Sequence, residues 1–348
     1  MRHCRKKFLF ISLLLVLGAA GACAQPAQPT KNKSPFTKFD TGIAITPQNF
    51  PAHSIADVDA AFQMAASLAD HAVFIFQWHA LDLNIVRMMI EKSKKSGLKP
   101  ILGLSPTALD QARKELDIPT DIRRKAGAPV SFANPVIRKA YLKSARGLAG
   151  LNPPYLCLAT EINFLALQRL NEYLYFASLY KEAYHAVKQV SPKTKVFVSF
   201  QWEWVRILDA REANKIKEHS NVIDIFRPQL DVVGFTTYPA PFYDSPADLP
   251  DDYYSWMYQH IESTDEVLLM EAGWPTGGIG SEAEQQAYIR RLPKLLRRIN
   301  VSVIAWALLH DVGLAEFDAN LSTVGLVGRN GQKKPGYIDF ANLHNSSK

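Results

Sequence analysis

Two acidic residues stand at the ends of apolar runs, where a charged side chain is costly. Glu161 ends the run that starts at Leu156, and Glu271 ends the run that starts at Val267. A buried carboxylate is stable only when it faces a polar pocket or has a partner. Two carboxylates beside one glycosidic bond can cleave it, because one protonates the leaving oxygen while the other attacks the sugar carbon or activates water. We therefore predict that Glu161 and Glu271 form an acid–base pair.

Eight short apolar runs recur along the chain and predict eight β-strands. Successive runs start 27 to 56 residues apart, which leaves room for a helix between them. The runs are apolar throughout, as parallel strands covered on both faces must be. Eight such units predict an α/β fold, the (β/α)8 TIM barrel. The predicted strands are Phe39–Ile45, Ala72–Trp78, Lys99–Leu104, Tyr155–Thr160, Lys195–Phe200, Asp231–Thr237, Glu266–Met270 and Val301–Leu308.

The barrel would bring the two carboxylates together, because residues at the carboxyl ends of its strands converge on one pocket. Glu161 and Glu271 follow the fourth and seventh strands, on opposite sides of the ring. The long interval after the third strand, residues 106–129, predicts an insertion on the same face. Helix starts are predicted at Ser54, at Asn134 before a proline, and at Ser281 in a capping box.

Other strand ends carry aromatic and polar residues that could line a sugar-binding pocket. Glu203 and Asp311 are rival carboxylates, and Glu203 is also a candidate for binding sugar hydroxyls between its two tryptophans. His79 and His310 are either sugar ligands or histidines satisfied by the backbone, and Trp306 is either the pocket floor or barrel filling. The predicted substrate-binding residues are Trp78, His79, Asn163, Trp202, Glu203, Trp204, Tyr238, Trp274, Trp306 and His310.

The amino terminus has the pattern of a secretory signal. Four basic residues within positions 2–7 precede an apolar run and then small residues up to Ala24. We predict a signal peptide over 1–24, a polar tether over 25–37 and a catalytic barrel over 38–348. Cleavage after Ala24 would release a periplasmic or extracellular protein, whereas cleavage before Cys23 would leave a cysteine for a bacterial lipid anchor.

The composition and the net charge limit the kinds of binding partner that we expect. With 47% hydrophobic and 21% charged residues the chain is globular. Its formal charge of +7 falls to +3 without the four basic residues of the signal, so we expect no nucleic-acid partner. Membrane contact is expected only through a lipid at Cys23. Cys157 is predicted in the core, so neither a disulfide nor a metal or other cofactor is expected, and the predicted form is a monomer with a carbohydrate substrate.

Three motifs resemble retaining glycoside hydrolases of clan A. Asp231-Val-Val-Gly-Phe-Thr-Thr-Tyr-Pro239 resembles the sixth-strand motif of the family 53 endo-β-1,4-galactanases. Leu268-Leu-Met-Glu-Ala-Gly-Trp-Pro-Thr276 is similar to their nucleophile strand and to that of the β-1,3-glucanases. Residues 325–337 are similar to the tail that often closes such barrels.

This resemblance implies that Glu271 is the nucleophile, Glu161 the acid/base, and Tyr238 the residue that holds the nucleophile. The families place Asn directly before the acid/base, whereas this chain has Thr160 there and Asn163 after it. Either of these two residues contacts the sugar differently, or the substrate differs, or the site has lost hydrolytic power.

The expected mechanism is double displacement with retained configuration. We expect a protonated Glu161 and an ionised Glu271 whose charge raises the pKa of its neighbour. One alternative is a non-catalytic glycan-binding protein on a degenerate barrel, motivated by Thr160. A second is a metal-dependent hydrolase that uses His79, His310 and Asp311.

Overall fold

The computed structural model describes residues 38–109, 113–205 and 222–347. The predicted signal peptide, tether and Cys23 lie outside the described residues. The strands are β1 (Asp40–Ala44), β2 (His71–Gln77), β3 (Lys99–Ser105), β4 (Tyr155–Cys157), β5 (Lys195–Phe197), β6 (Ser199–Gln201), β7 (Val233–Thr237), β8 (Val267–Ala272) and β9 (Val301–Trp306). Every predicted strand corresponds to one of these strands, or to β5 and β6 together.

Helices lie between the strands. The α-helices are α1 (Ile55–Ala66), α2 (Leu83–Lys95), α3 (Thr120–Ala126), α4 (Pro135–Ala149), α5 (Asn163–Gln168), α6 (Leu170–Val190), α7 (Glu282–Leu296), α8 (Ala319–Ser322) and α9 (Pro335–Ser346). Ser54, Asn134 and Ser281 each accept a hydrogen bond at the first turn of α1, α4 and α7, so these three predicted starts are confirmed. No helix among the described residues is long and apolar enough to span a bilayer.

All strand pairings are parallel, and together they form a ring. The order is β5-β4-β3-β2-β1-β9-β8-β7-β6. Only Val198 separates β5 from β6; β5 pairs with β4, while β6 pairs with β7. The two segments are thus halves of one strand that joins both ends of the sheet, which makes β7, β8 and β9 the sixth, seventh and eighth barrel strands. The predicted (β/α)8 TIM barrel is confirmed.

The apolar core has two parts. Inside the ring, side chains from different strands meet, among them Val73, Ile101, Phe197 and Val303. The predicted core residue Cys157 lies here, fully buried. The second and larger part lies between the strands and the helices. Gly234 is required on β7 because a Cβ there would lie 2.6 Å from the ring of Phe197.

The insertion after β3 folds back over the carboxyl ends of the strands. Thr107 pairs with Leu116 in an antiparallel bridge, and the Asp117 N–H donates to the Pro106 carbonyl at 2.8 Å. Residues 110–112 lie outside the described residues. The chain then enters α3. This places residue 113 beside the end of β4, on the face predicted from sequence.

Candidate active site

Glu161 is fixed by its backbone, four residues beyond the end of β4. Its φ of +51° is a left-handed conformation that costs a non-glycine residue about 1 kcal/mol. Hydrogen bonds to the neighbouring strand β6 stabilise this backbone conformation. The Glu161 N–H donates to Ser199 Oγ at 3.1 Å, and the Ile162 N–H donates to the Ser199 carbonyl at 3.0 Å. The strained turn therefore sets where the Glu161 side chain begins.

Both oxygens of the Glu161 carboxylate have partners. Arg113 donates to Oε2 from Nε at 3.0 Å and from Nη2 at 2.7 Å, while Thr236 Oγ1 donates to Oε1 at 2.7 Å. Arg113 and Glu161 are each only 8% exposed, so their ion pair is largely shielded from water. Arg113 Nη1 also donates to Thr160 Oγ1 at 3.3 Å. Thr160, at the position where the resembling families have Asn, thus contacts the arginine.

A bulge in β8 turns Glu271 toward Glu161. On β7, Phe235 pairs with Leu269 and the next residue, Thr236, pairs with Glu271, so Met270 is an extra residue. Without the bulge, Glu271 would share the helix-facing side with Leu269, two residues earlier. With it, Glu271 stands opposite the threonine whose hydroxyl holds Glu161. The register of β7 and β8 thereby connects the two carboxylates.

Glu271 is held by Tyr238, as the resemblance implies. The Tyr238 hydroxyl donates to Glu271 Oε2. Burial, followed by the negative charge of Glu161, raises the pKa of Glu271 to about 7, against the opposing effects of the Tyr238 hydrogen bond and the Arg113 charge. Glu161 and Glu271 are therefore close enough to influence each other's ionisation. The raised pKa falls on Glu271, whereas sequence analysis expected it on Glu161.

Glu203 ties β6 to the end of β7. Its Oε1 accepts from Thr237 Oγ1 at 2.6 Å and from the Tyr253 hydroxyl at 2.7 Å. Its Oε2 accepts from Gln201 Nε2 at 2.5 Å and from the Tyr238 N–H at 3.2 Å. Burial raises the pKa of Glu203, and these hydrogen bonds oppose the rise. With four protein donors on its two oxygens and 4% exposure, Glu203 supports Tyr238 rather than reaching toward a ligand.

Four of the predicted sugar-stacking tryptophans are core residues in the structure. None has more than 2% of its surface exposed, so none presents a face to a sugar. Their side chains extend into the layers between strands and helices, where each packs on another aromatic ring. The pairs are Trp78 with Tyr141, Trp202 with Phe235, Trp274 with Tyr288, and Trp306 with Tyr288 and Phe340. Trp306 is therefore not the pocket floor.

Trp204, His79 and Tyr238 are the predicted ligands that keep accessible surface. The Trp204 ring is half-buried and contacts Phe164 and Phe242. The His79 side chain is 48% exposed, and its Nδ1 lies 2.5 Å from Oδ1 of the buried Asp117. Asp117 comes from the β3 insertion, so the insertion orients His79 at the end of β2.

The side chains of Asn163 and His310 are hydrogen-bonded to the backbone. Asn163 is fully buried and exchanges two hydrogen bonds with the backbone of Gln201, at 2.8 and 3.0 Å. His310 is 3% exposed, with its Nδ1 2.7 Å from the Thr46 carbonyl. Burial lowers the pKa of His310. Both residues secure the loops after β4 and β9 instead of lining a pocket.

Asp311 forms a buried ion pair with Lys334, at 2.7 Å. Lys334 Nζ also donates to Thr276 Oγ1 at 2.8 Å and to the Thr323 carbonyl at 3.0 Å. The tail segment over 325–337 is thereby tied to the loop after β8. Within the part of the chain that the structure describes, no group of three or more His, Cys, Asp or Glu residues could hold a metal ion. The proposed His79, His310 and Asp311 set does not converge.

Arg113 is the site residue that sequence analysis missed. It lies within the insertion after β3 and ends no apolar run, so no pattern of strand ends marks it. The only available signal was the length of the interval after β3, which predicted an insertion on this face. That signal locates a segment but selects no residue within it.

The fold is shared with solved glycoside hydrolases. Exo-β-1,4-mannosidase Op5Man5 from Opitutaceae bacterium strain TAV5 superposes with a TM-score of 0.69 and 17% identity, over 89% of this chain and 60% of that one. GH5_18 from Streptomyces cattleya, in complex with Manβ1-4GlcNAc, gives 0.65 and 16%, over 88% and 80%. A family 39 glycoside hydrolase from Bacteroides cellulosilyticus WH2 gives 0.57 and 16%, over 89% and 64%.

This chain spans less than two thirds of that mannosidase. At these identities the likeness establishes a common barrel and no more. No family model matches the sequence, and no curated protein matches it.

Proposed function

We propose that this protein is a retaining glycoside hydrolase that cleaves β-linked saccharides, with Glu161 as acid/base and Glu271 as nucleophile. The main observation that supports this proposal is that the two carboxylates lie close to each other at the carboxyl ends of the barrel strands. Glu161 accepts from Thr236, the register partner of Glu271, and Glu271 accepts from Tyr238, the residue directly after the end of β7. A pair of carboxylates facing each other from opposite strands is what glycosidic cleavage requires, and retention needs the two carboxyl groups about 5–5.5 Å apart.

The proposed reaction has two displacements. A Glu271 oxygen attacks the anomeric carbon, the bond to the leaving oxygen breaks, and Glu161 gives its proton to that oxygen. Glu161 then removes a proton from water, which attacks the same carbon and releases Glu271. Each step inverts the carbon once, so the configuration of the product is that of the substrate.

The pair must carry one proton for the first displacement. In the structure Arg113 donates two hydrogen bonds to Oε2 of Glu161, and the raised pKa of Glu271 favours a proton on Glu271. Substrate binding must therefore leave the proton on Glu161 and Glu271 ionised. A substrate hydroxyl near Arg113 would weaken the ion pair and assist this redistribution.

The sugar is proposed from the structural neighbours and from the motifs. The neighbours include a protein titled an exo-β-1,4-mannosidase and one in complex with Manβ1-4GlcNAc, which support a β-mannoside. The family 53 resemblance supports β-1,4-galactan on sequence motifs alone, and none of the neighbours described above is a galactanase. We place β-mannosides first.

The test is hydrolysis of a defined panel. Manβ1-4GlcNAc, β-1,4-mannobiose, β-1,4-galactan and β-1,3-glucan would be incubated with the wild type, Glu271→Ala and Glu161→Gln, and the first-formed anomer followed by NMR. We expect wild-type turnover with retention and a loss of at least 1,000-fold in each variant. Near-wild-type activity of Glu271→Ala on every hydrolysed glycan would overturn the assignment.

A glycan-binding protein without hydrolytic activity is the second candidate. Two observations favour it, namely Thr160 in place of Asn and the ion pair that occupies Glu161. Binding of these oligosaccharides by calorimetry, with no reducing ends released over long incubation, would select this function.

We also propose that the protein is exported, on the strength of residues 1–24 alone. Intact mass of the protein recovered from its native host distinguishes the forms. A chain beginning at Gln25 indicates release, a diacylated Cys23 indicates a lipid anchor, and an uncleaved chain would overturn export.

A further inference from the structure

Three aromatic side chains form an accessible cluster at the rim. The Trp204 ring lies 5.6 Å from the Phe164 ring and 6.3 Å from the Phe242 ring, between ring centres. Phe242 is 44% exposed, and the other two are half-buried. They differ in this from Trp78, Trp202, Trp274 and Trp306, which have no accessible face.

The cluster is continuous with the candidate active site. Phe164 follows Glu161 by three residues, Trp204 follows Glu203 directly, and Phe242 follows Tyr238 by four. The three rings thus come from the segments that follow β4, β6 and β7, with Phe164 on α5. Each segment also supplies a carboxylate of the site or the tyrosine that holds Glu271.

The backbone under the cluster is fixed. The Phe164 N–H donates to the Glu161 carbonyl at 3.1 Å, and the Phe242 N–H donates to the Pro239 carbonyl at 2.9 Å. The Trp204 N–H donates to Gln201 Oε1 at 2.9 Å, and Glu203 holds the same glutamine. The backbone of Phe164 is therefore tied to Glu161 and that of Trp204 to Glu203 through Gln201, while Phe242 is held within its own turn.

We propose that Phe164, Trp204 and Phe242 form a platform on which a sugar of the leaving group stacks. Rigid apolar rings beside a few placed polar groups suit a sugar, whose ring has an apolar face and a hydroxylated edge. The cluster lies on the segments after β4, β6 and β7, on the Glu161 side of the mouth, and none of its rings follows β8 or β9. Because Glu161 protonates the leaving oxygen in the proposed reaction, the sugar beyond that oxygen would lie on this side.

This inference rests on the proposed function, and the test separates the two. β-D-mannosyl fluoride has no sugar on the leaving side, whereas β-1,4-mannotetraose does. We expect Trp204→Ala to lower kcat/KM about tenfold or more on the tetraose and less than twofold on the fluoride. A fall of similar size on both substrates, or no fall on the tetraose, would overturn the platform. Galactosyl fluoride with β-1,4-galactotetraose forms a second pair.

Two further variants test whether a loss of activity in Trp204→Ala comes from misfolding. Phe242→Ala removes an exposed ring, and we expect the same substrate dependence with a smaller loss. Trp256→Ala is the matched control, since that ring is 40% exposed and its Nε1 donates to Asp252 at 3.2 Å. The control should match the wild type on both substrates.

The platform remains testable if the wild type hydrolyses nothing. Calorimetry with β-1,4-mannotetraose and β-1,4-galactotetraose would then compare the wild type with Trp204→Ala. A tenfold or larger loss of affinity would support the platform while the hydrolase proposal fails. Equal affinities, or no binding of either tetraose by the wild type, would overturn it.

Discussion

At the scale of single residues, the proposed reaction depends on one proton held by the pair Glu161 and Glu271. Burial and Glu161 together raise the pKa of Glu271 to about 7. When two acids interact this strongly, the titration belongs to the pair. Below that pKa the site holds a proton that the proposed reaction can use, and above it Glu271 is ionised and that proton is lost.

The raised pKa of Glu271 determines how activity should depend on pH. We expect kcat/KM to fall as the pH rises through about 7, with the slope of a single proton. The measurement is kcat/KM between pH 4 and 10 on β-1,4-mannobiose or another substrate hydrolysed in the panel. Activity that rises through the same range would contradict the shared proton.

Replacing Arg113 should shift the alkaline limb of the pH profile, the range over which kcat/KM falls as the pH rises. Its positive charge lowers the pKa of Glu271, so Arg113→Gln should raise that pKa and shift the limb upward by about half to one pH unit. Arg113→Lys keeps the charge and should shift it less. Arg138→Gln is the control because Arg138 pairs with Glu182 on the outer helices. A shift of the limb to lower pH in Arg113→Gln would show that the arginine acts otherwise.

Sequence patterns locate Glu161, Glu271 and Tyr238, because each ends or directly follows an apolar run of the sequence. They could not separate Trp204 from the tryptophans that are buried. All six tryptophans but Trp256 stand at strand ends, and which face each occupies depends on register. The bulge at Met270 changes that register by one residue, and nothing in the apolar run marks it.

At the scale of elements, the strands are predictable and their ends are not. The run predicted over Glu266–Met270 stops before Glu271, whereas β8 continues to Ala272. The run predicted over Tyr155–Thr160 is longer than β4, because the chain leaves the sheet at Cys157 to form the left-handed turn at Glu161. Both differences occur where polar side chains of the site replace regular strand pairing.

Glu203 should be the main support of the end of β7. Glu203→Ala leaves the hydroxyls of Thr237 and Tyr253 and the N–H of Tyr238 without their acceptor, so we expect it to cost about 2–4 kcal/mol of unfolding free energy. Activity should fall with it, since Tyr238 would lose its position. Thermal and urea unfolding measure the loss. Glu91→Ala, an exposed carboxylate on α2, is the matched control, and equal stability of the two variants would refute this role.

At the scale of the whole molecule, burying Glu271 in the site lowers the free energy of unfolding of the barrel. The native pKa of about 7 lies above the ordinary value of 4.5, so the folded state holds this proton more tightly than the unfolded chain. The free energy of unfolding therefore decreases from this group as the pH rises from about 4.5 to 7. The ring of strands and its two-part core must offset the cost.

Glu271→Gln should remove this cost. We expect the variant to be more stable than the wild type by about 1–3 kcal/mol at pH 8, with the difference shrinking toward zero near pH 4. Guanidinium denaturation at both values measures it. A variant less stable than the wild type at pH 8 would indicate that Glu271 is held ionised by favourable contacts.

The most direct test of the central claim is to identify the residue that becomes covalently glycosylated. A 2-deoxy-2-fluoro-β-mannosyl fluoride, or its galactosyl counterpart, would be incubated with the enzyme, and the labelled peptide sequenced by mass spectrometry. We predict one sugar on Glu271, formed also in Glu161→Gln because fluoride leaves without a proton, and absent in Glu271→Ala. A label on Glu161, or hydrolysis of the panel glycans with inversion and no label at all, would contradict the assignment of these two carboxylates.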